Sequence, residues 1–418
     1  MAQAAALALL DAGAVRTRAH VVLQGALVDA LPWWQVHAHA LEPLAEQVAQ
    51  RIHQRHPDLQ VPLHSRWRHL EAGGVPRLSQ WLAQVHHPNQ RARTDALLDF
   101  AFVSVLLDAG AGATWRYHEQ ATAQHHARSE GLALASWQGF THGAFGVDAE
   151  GLPCVDAQRL CHLSTADLQA MFQAGPNNPL LGLDSRAALM RALGERLMQW
   201  AKPLGLPARP SAVVQAYLSD HHEPHANGLL HALLLALNPI WPHGRHAHGI
   251  ALGDCWALPW LQTQGMPEGW VPFHKLTQWL CYSLQEPLAW GQQALGGWEG
   301  LTALPEYRNG GLLIDAHVIA PRQPHTLQAA YTPDQPEVVS WRALTVALMD
   351  RLWPMVCERL GCSPQALSLS AMLEGGTWLM GRELAYARRG GEPPLRIVSD
   401  GTVFSQGPST CTLPQRFI

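Results

Sequence analysis

Val271-Pro272-Phe273-His274-Lys275-Leu276-Thr277-Gln278 opens a stretch that runs on to Leu301-Thr302-Ala303-Leu304-Pro305-Glu306-Tyr307-Arg308 and closes at Asp315. Pro272 suits the first turn of a helix, where its missing N–H costs nothing. Leu276, Leu280 and Leu284 then recur every four residues, the repeat of one helical stripe. Lys275, Gln278 and Tyr282 fall on a neighbouring face, so three polar side chains are expected along one wall of a pocket. A loop through Gly296 and Gly297 leads on to Glu306 and Arg308, two charges in otherwise apolar text. Buried charges pair with one another or bind something. Two readings stand here: a structural Lys–Glu or Arg–Glu pair, or a polar substrate pocket.

Working outward, Gly253-Asp254-Cys255-Trp256 sets an acid before an aromatic in apolar surroundings, and both are expected to face the pocket of Lys275. Downstream, the Trp341-Arg342-Ala343-Leu344-Thr345 helix carries Arg342 as its one charge over two turns. A buried arginine there needs a carboxylate, and Glu306 is the expected partner. Thr94 is placed as the N-cap of a helix apolar on all faces through Leu107, hence central and buried. It ends in Asp108 before Ala109-Gly110-Ala111-Gly112. A carboxylate at the end of a buried helix is tied to loop N–H groups or to an arginine such as Arg116, or it is used in chemistry. In His64-Ser65-Arg66-Trp67-Arg68-His69, Arg66 and Arg68 offer forked donors to a phosphate or carboxylate.

Hydrophobic residues make up 47% of the 418 and charged ones 15%, ample material for a core. A formal net charge of −4 provides no basic field for nucleic acid. The Ala/Leu-rich start lacks a basic n-region and reads as a helix, and no apolar run is long enough to span a membrane. Seven scattered cysteines without a CxxC pattern point to reduced thiols in a cytoplasmic protein. Residues 1–60 read as two helices, and 113–250 as short helices with Gly/Pro-rich loops. The irregular histidines at 221–225 and 243–248 read as solvated loop residues rather than as metal ligands. Glu374-Gly375-Gly376-Thr377-Trp378 is a further acid in apolar text, and Leu395–Val398 before Ser399-Asp400-Gly401-Thr402-Val403-Phe404 is the clearest strand and turn. No phosphate-binding glycine loop, G-x-G-x-x-G after a strand, or G-x-S-x-G elbow is present, so kinase, NTPase, Rossmann and α/β-hydrolase chemistries fall away.

The quoted blocks, with Ala14-Val15-Arg16-Thr17-Arg18-Ala19-His20 and Arg128-Ser129-Glu130-Gly131-Leu132, follow one another in an order that resembles the URC4/Urg3 family (DUF1688) of uracil-catabolism proteins over nearly the whole chain. That resemblance implies one unit across 1–418, with 1–150 and 151–418 as its lobes. It also implies a place in a uracil-degradation route that passes through ribosylurea-type intermediates and releases urea. Phe273–Gln278, Leu301–Arg308 and the Trp341 helix are also similar to three ordered blocks of the queuosine salvage N-glycosylases, helical proteins related to DNA glycosylases. The implied fold is mainly α, a multi-helix glycosylase-like architecture with a small β element near the C-terminus. By this second resemblance Lys275 contacts a phosphate or sugar, and Glu306 takes the place of a catalytic Asp, with Pro305 where that family has Ala.

The expected activity is an N-ribosyl hydrolase acting on ribosylurea or its 5′-phosphate. Glu306 serves as carboxylate base or cation stabiliser and Asp108 or Asp254 as the second acid/base. Lys275, Arg308 and Arg68 are the substrate anchors, with Gln278, Tyr307, Arg66, His274, Trp256 and Arg342 around them. The expected partner is a small ribosylated, urea- or uracil-derived molecule, without cofactor, metal, nucleic acid or membrane. Two alternatives belong to other classes: a metal-dependent amidohydrolase of the same intermediate, and a non-catalytic partner of the pathway's ring-opening enzyme.

Overall fold

Gln90–Leu106 forms a helix buried from Thr94 onward except at Asp95. Its cap is Asn89 rather than Thr94: the Asn89 side chain accepts the Ala92 N–H at 2.8 Å. Thr94 sits a turn inside, its hydroxyl donating to the Gln90 carbonyl, the ordinary fate of a threonine within a helix. The helix is not wholly apolar either. Asp99 is fully buried and accepts from Arg209, from the Ser211 N–H at 2.7 Å and from the Val155 N–H at 2.9 Å. These bonds tie the otherwise apolar helix to two loops.

The structure is a computed structural model that describes residues 2–398 other than 113, 242–244, 267 and 294. The helix Lys275–Trp290 packs along Gln90–Leu106. It begins later than Pro272 suggests, because Trp270–Pro272 is a strand paired antiparallel with Cys255–Ala257. The chain turns from strand to helix at His274, whose φ of 49° is left-handed. The Asp254 carbonyl accepts the Phe273 and His274 N–H groups, which fixes that turn.

The 24-residue helix Pro336–Arg359 lies against Ala12–Leu27 and Leu41–Arg55. The short helix Tyr307–Asp315 packs on Trp378–Arg389. The first sixty residues hold three helices rather than two, since Ala2–Leu7 stands apart from Ala12–Leu27. The chain is mainly helical, and each sheet among the described residues has only two strands. Near the C-terminus Arg396–Ile397 pairs in parallel with Ala330–Tyr331, and the expected turn at 399–404 lies outside the described residues. One apolar cluster runs from Ala6 to Leu395. No helix among the described residues is long and apolar enough to cross a membrane, and the six described cysteines are free thiols.

Candidate active site

Lys275 is placed by Asp254. The buried Asp254 carboxylate accepts the Lys275 N–H at 3.0 Å, the Trp256 indole N–H at 2.6 Å and both Arg342 terminal nitrogens at 2.9 and 2.7 Å. Burial works against its charge but is outweighed by Arg342 and these donors, so its pKa lies below the ordinary carboxylate value. The partner of Arg342 is therefore Asp254, not Glu306, and the Arg342 guanidinium also lies over the Phe273 ring at 4.0 Å. With both carboxylate oxygens taken, Asp254 orients the start of the Lys275 helix. It does not line the cavity described below.

The wall expected from Gln278 and Tyr282 faces inward instead. Gln278 exchanges hydrogen bonds with Thr302, accepting its N–H at 2.9 Å and donating to its hydroxyl at 2.8 Å. Tyr282 donates to the Thr302 carbonyl at 3.0 Å. Both are buried, and together they hold the segment that delivers Glu306. Glu306 is the N-cap of Tyr307–Asp315: its two oxygens accept the Asn309 N–H at 2.6 Å and the Arg308 N–H at 2.9 Å. A carboxylate at a helix N-terminus is favoured by the helix dipole and held in one orientation.

Two glycines set this helix close to its neighbours. A Cβ on Gly310 would lie 2.5 Å from the Trp341 ring, and one on Gly381 only 2.2 Å from the Arg308 carbonyl. Arg308 is thereby pressed over the Trp378 ring at 4.1 Å, and its Nε donates to the Tyr307 hydroxyl at 2.9 Å. Its Nη1 is buried with no hydrogen-bond partner among the described residues.

Asp108 ends the Gln90–Leu106 segment and meets Arg66, not Arg116. Arg66 Nη1 stands 3.2 Å from the Asp108 carboxylate, and Arg66 Nε donates to the Ser104 hydroxyl at 2.7 Å. Arg66 is fully buried, and that burial lowers its pKa against the opposing pull of Asp108 and Glu130. Arg186 completes the setting. It donates to the carbonyls of Leu107, Ala109 and Gly110, pinning the glycine loop that follows the helix.

A cavity of about 300 Å³ opens where these parts meet. Asp108, Lys275, Glu306, Tyr307, Arg308 and Arg342 all line it. The other expected site residues stand elsewhere. His274 turns its ring to the Leu9 carbonyl at 2.8 Å, Trp256 is spent on Asp254, and Arg68 bonds Glu71 and Glu286, each at 2.7 Å. Arg66 lies behind Asp108, and Gln278 behind Thr302. Each was expected in the pocket, and each is engaged by a protein partner instead.

The residues that sequence reasoning passed over are His64, His69, Arg128, Trp279 and Trp378, which also line the cavity. His64 and His69 flank the two arginines of their motif, so the right segment was selected for the wrong side chains. Arg128 has a left-handed φ of 53°, a costly backbone for a non-glycine residue. His69 is buried beside Arg66, and burial first and that charge second push its pKa down to about 4. Its Nδ1 and the Trp279 indole N–H lack partners among the described residues. Glu130 is held down at about 2: burial opposes this, and the charge of His69 (when protonated), then Arg382, a backbone N–H and Arg308 prevail.

Among the described residues no group of three or more His, Cys, Asp or Glu is arranged to hold a metal ion. His221 bonds the Tyr217 carbonyl, and His225 caps the helix Ala226–Leu237 through the Gly228 N–H.

The family profile described as "Protein of unknown function (DUF1688)" matches residues 8–404. The chain belongs to that family. Within DUF1688 it is 37% identical to Protein urg3 of Schizosaccharomyces pombe over 411 residues, 95% of this chain and 98% of that one. It is 35% identical to Uracil catabolism protein 4 of Lachancea kluyveri over 379 residues, 82% of this chain and 85% of that one. The match spans every cavity-lining segment of this DUF1688 chain from His64 to Ile397.

Proposed function

We propose that this chain acts in uracil catabolism as an N-ribosyl hydrolase, cleaving ribosylurea or its 5′-phosphate to urea and the ribose or ribose phosphate. The relative named Uracil catabolism protein 4 supports the pathway. The chemistry rests on one observation: Asp108 and Glu306, far apart in sequence, line one cavity together with the cations Lys275 and Arg308. Breaking an N-ribosyl bond builds positive charge on the sugar at C1′, and a fixed carboxylate beside that carbon stabilises it without reorganising. Glu306, immobilised by two backbone N–H groups, takes that role. Asp108 receives the proton of the attacking water. Lys275 and Arg308 hold the oxygens of the substrate away from the reacting bond and spend that binding energy on alignment. The aromatic faces of Trp279 and Trp378 supply apolar walls that exclude bulk water.

The test is urea release by the metal-stripped protein from synthetic ribosylurea and from its 5′-phosphate. Release that survives chelation and disappears in Glu306→Gln upholds the reading. Release that returns only with added metal replaces it by an amidohydrolase. Absence of release from both compounds makes the chain a non-catalytic partner.

A further inference from the structure

A urea nitrogen leaves C1′ poorly unless it is protonated as the bond breaks, and two carboxylates engaged with the sugar and the water leave that proton unsupplied. The structure holds a group suited to supply it. His64 Nδ1 lies 2.6 Å from the Glu374 carboxylate, and the His64 backbone is anchored by its N–H to Ser370. The imidazole lies between Trp279 and Trp378, with ring centroids at 6.5 and 5.5 Å, and His64 lines the cavity with both. Its Nε2 makes no protein hydrogen bond among the described residues and is not sealed off from solvent.

Glu374 sits in Leu373–Thr377, a π-helical turn, the kind of helix irregularity often found at functional sites. Its carboxyl is held below the usual range: burial opposes that, and the hydrogen bond and charge of His64, followed by His69 and Arg68, outweigh it. The charged groups around His64 are otherwise accounted for. Arg68 is bound to Glu71 and Glu286, Ser65 donates to Glu286, and Arg66 faces Asp108. On the cavity wall the neighbouring cation is Arg308, and His69, whose pKa burial pushes down to about 4, is the neighbouring neutral imidazole.

We propose that His64 is the catalytic acid that protonates the departing urea nitrogen, with Glu374 as its positioning residue. This rests on the N-ribosyl hydrolase reading above. The imidazolium carries protons on both nitrogens. Nδ1–H stays with Glu374, and Nε2–H goes to the leaving nitrogen as the C1′–N electron pair withdraws onto it. Water bonds to C1′ and gives its proton to Asp108. The products are urea and a sugar with a C1′ hydroxyl, and solvent carries the proton from Asp108 back to His64. A carboxylate on the far nitrogen of a histidine fixes its tautomer and stabilises the charged form.

The experiment compares two substrates in the full chain: ribosylurea, whose leaving group needs a proton, and 4-nitrophenyl riboside, whose leaving group does not. His64→Gln is expected to lower kcat for urea release by about 10²- to 10⁴-fold while nitrophenolate release stays within a few-fold of wild type. Glu374→Gln is expected to lower kcat for urea with KM unchanged, while nitrophenolate release stays within a few-fold of wild type. Urea release retained in His64→Gln, or both substrates impaired alike, overturns the assignment. Should His64→Gln fail to fold, nitrogen-15 spectra of the wild type decide: the neutral ring is expected as the Nδ1–H tautomer, and the Nε2–H tautomer overturns the proposal. A wild type inactive on the nitrophenyl riboside, on ribosylurea and on its 5′-phosphate sinks the hydrolase reading itself and is distinct from a wild type whose His64→Gln variant matches it.

Discussion

Two buried polar sets meet at Lys275 and differ in one respect, whether their hydrogen bonds are complete. Around Asp254 both carboxylate oxygens are taken by Arg342, Trp256 and the Lys275 N–H. Around the cavity, Arg308 Nη1, His69 Nδ1 and the Trp279 indole N–H have no partner, and the Lys275 ammonium has no carboxylate partner among the described residues. The first set is closed and can only hold parts in place. The second carries a desolvation cost that a ligand offsets, which is why buried donors left open mark a site more sharply than buried charge itself does.

The comparison breaks most directly at Asp254. Asp254→Ala leaves the Arg342 guanidinium buried without its acid, and we expect a loss of about 3–5 kcal/mol of stability, read from denaturant melts. A variant as stable as wild type removes the idea that this set is a clamp. Next comes Glu306→Gln, which keeps a side chain able to cap the helix but removes the charge. Urea release is expected to fall by about 10²- to 10³-fold with a melting temperature close to wild type. A large drop in melting temperature would instead place Glu306 with the structural set.

A third test uses pH. His69 titrates near 4 in the folded chain and near 6.5 when unfolded. As pH falls through that window the unfolded state takes up a proton that the folded state refuses, so stability declines, by on the order of 3 kcal/mol. Below it, stability declines further as the unfolded chain protonates the Glu130 carboxyl, which stays ionised down to about 2 in the fold. His69→Gln is expected to flatten the first decline, in melts recorded between pH 7 and pH 4.5. An unchanged first decline would show that His69 is not the group responsible. The smallest effect is expected at Gly381, where an added methyl presses on the Arg308 carbonyl 2.2 Å away. Gly381→Ala is expected to cost about 1–3 kcal/mol and to raise KM by displacing Arg308. A cost without a change in KM would separate the packing of that helix from the site.

Much of the site was legible because a charge in apolar text has to be paired or used. That rule found Asp108, Glu306, Arg308, Lys275 and Arg342, which share the cavity. It found Asp254 equally well, as helical spacing found Gln278, and neither has a means of telling the two outcomes apart, because partners such as Arg342 and Thr302 come from segments distant along the chain. His64 and His69 escaped for the opposite reason. Histidines are common here, 24 in all, and nothing local separates a cavity histidine from one that caps a helix, as His225 does. Helix starts were misplaced for two reasons: Pro272 serves a strand fixed by its pairing with a distant segment, whereas the Asn89 cap is local chemistry that was assigned to Thr94 instead.

The sequence by itself determined a mainly helical chain of the DUF1688 family, the buried central helix, and a short set of charges that must be satisfied inside it. Apolar periodicity and the cost of burying charge are properties of the residues, whatever surrounds them. Only the tertiary structure decided which of those charges close on one another and which are left facing a cavity. A hydrogen bond is a relation between two groups, and here the second group is usually supplied by a helix or loop far along the chain.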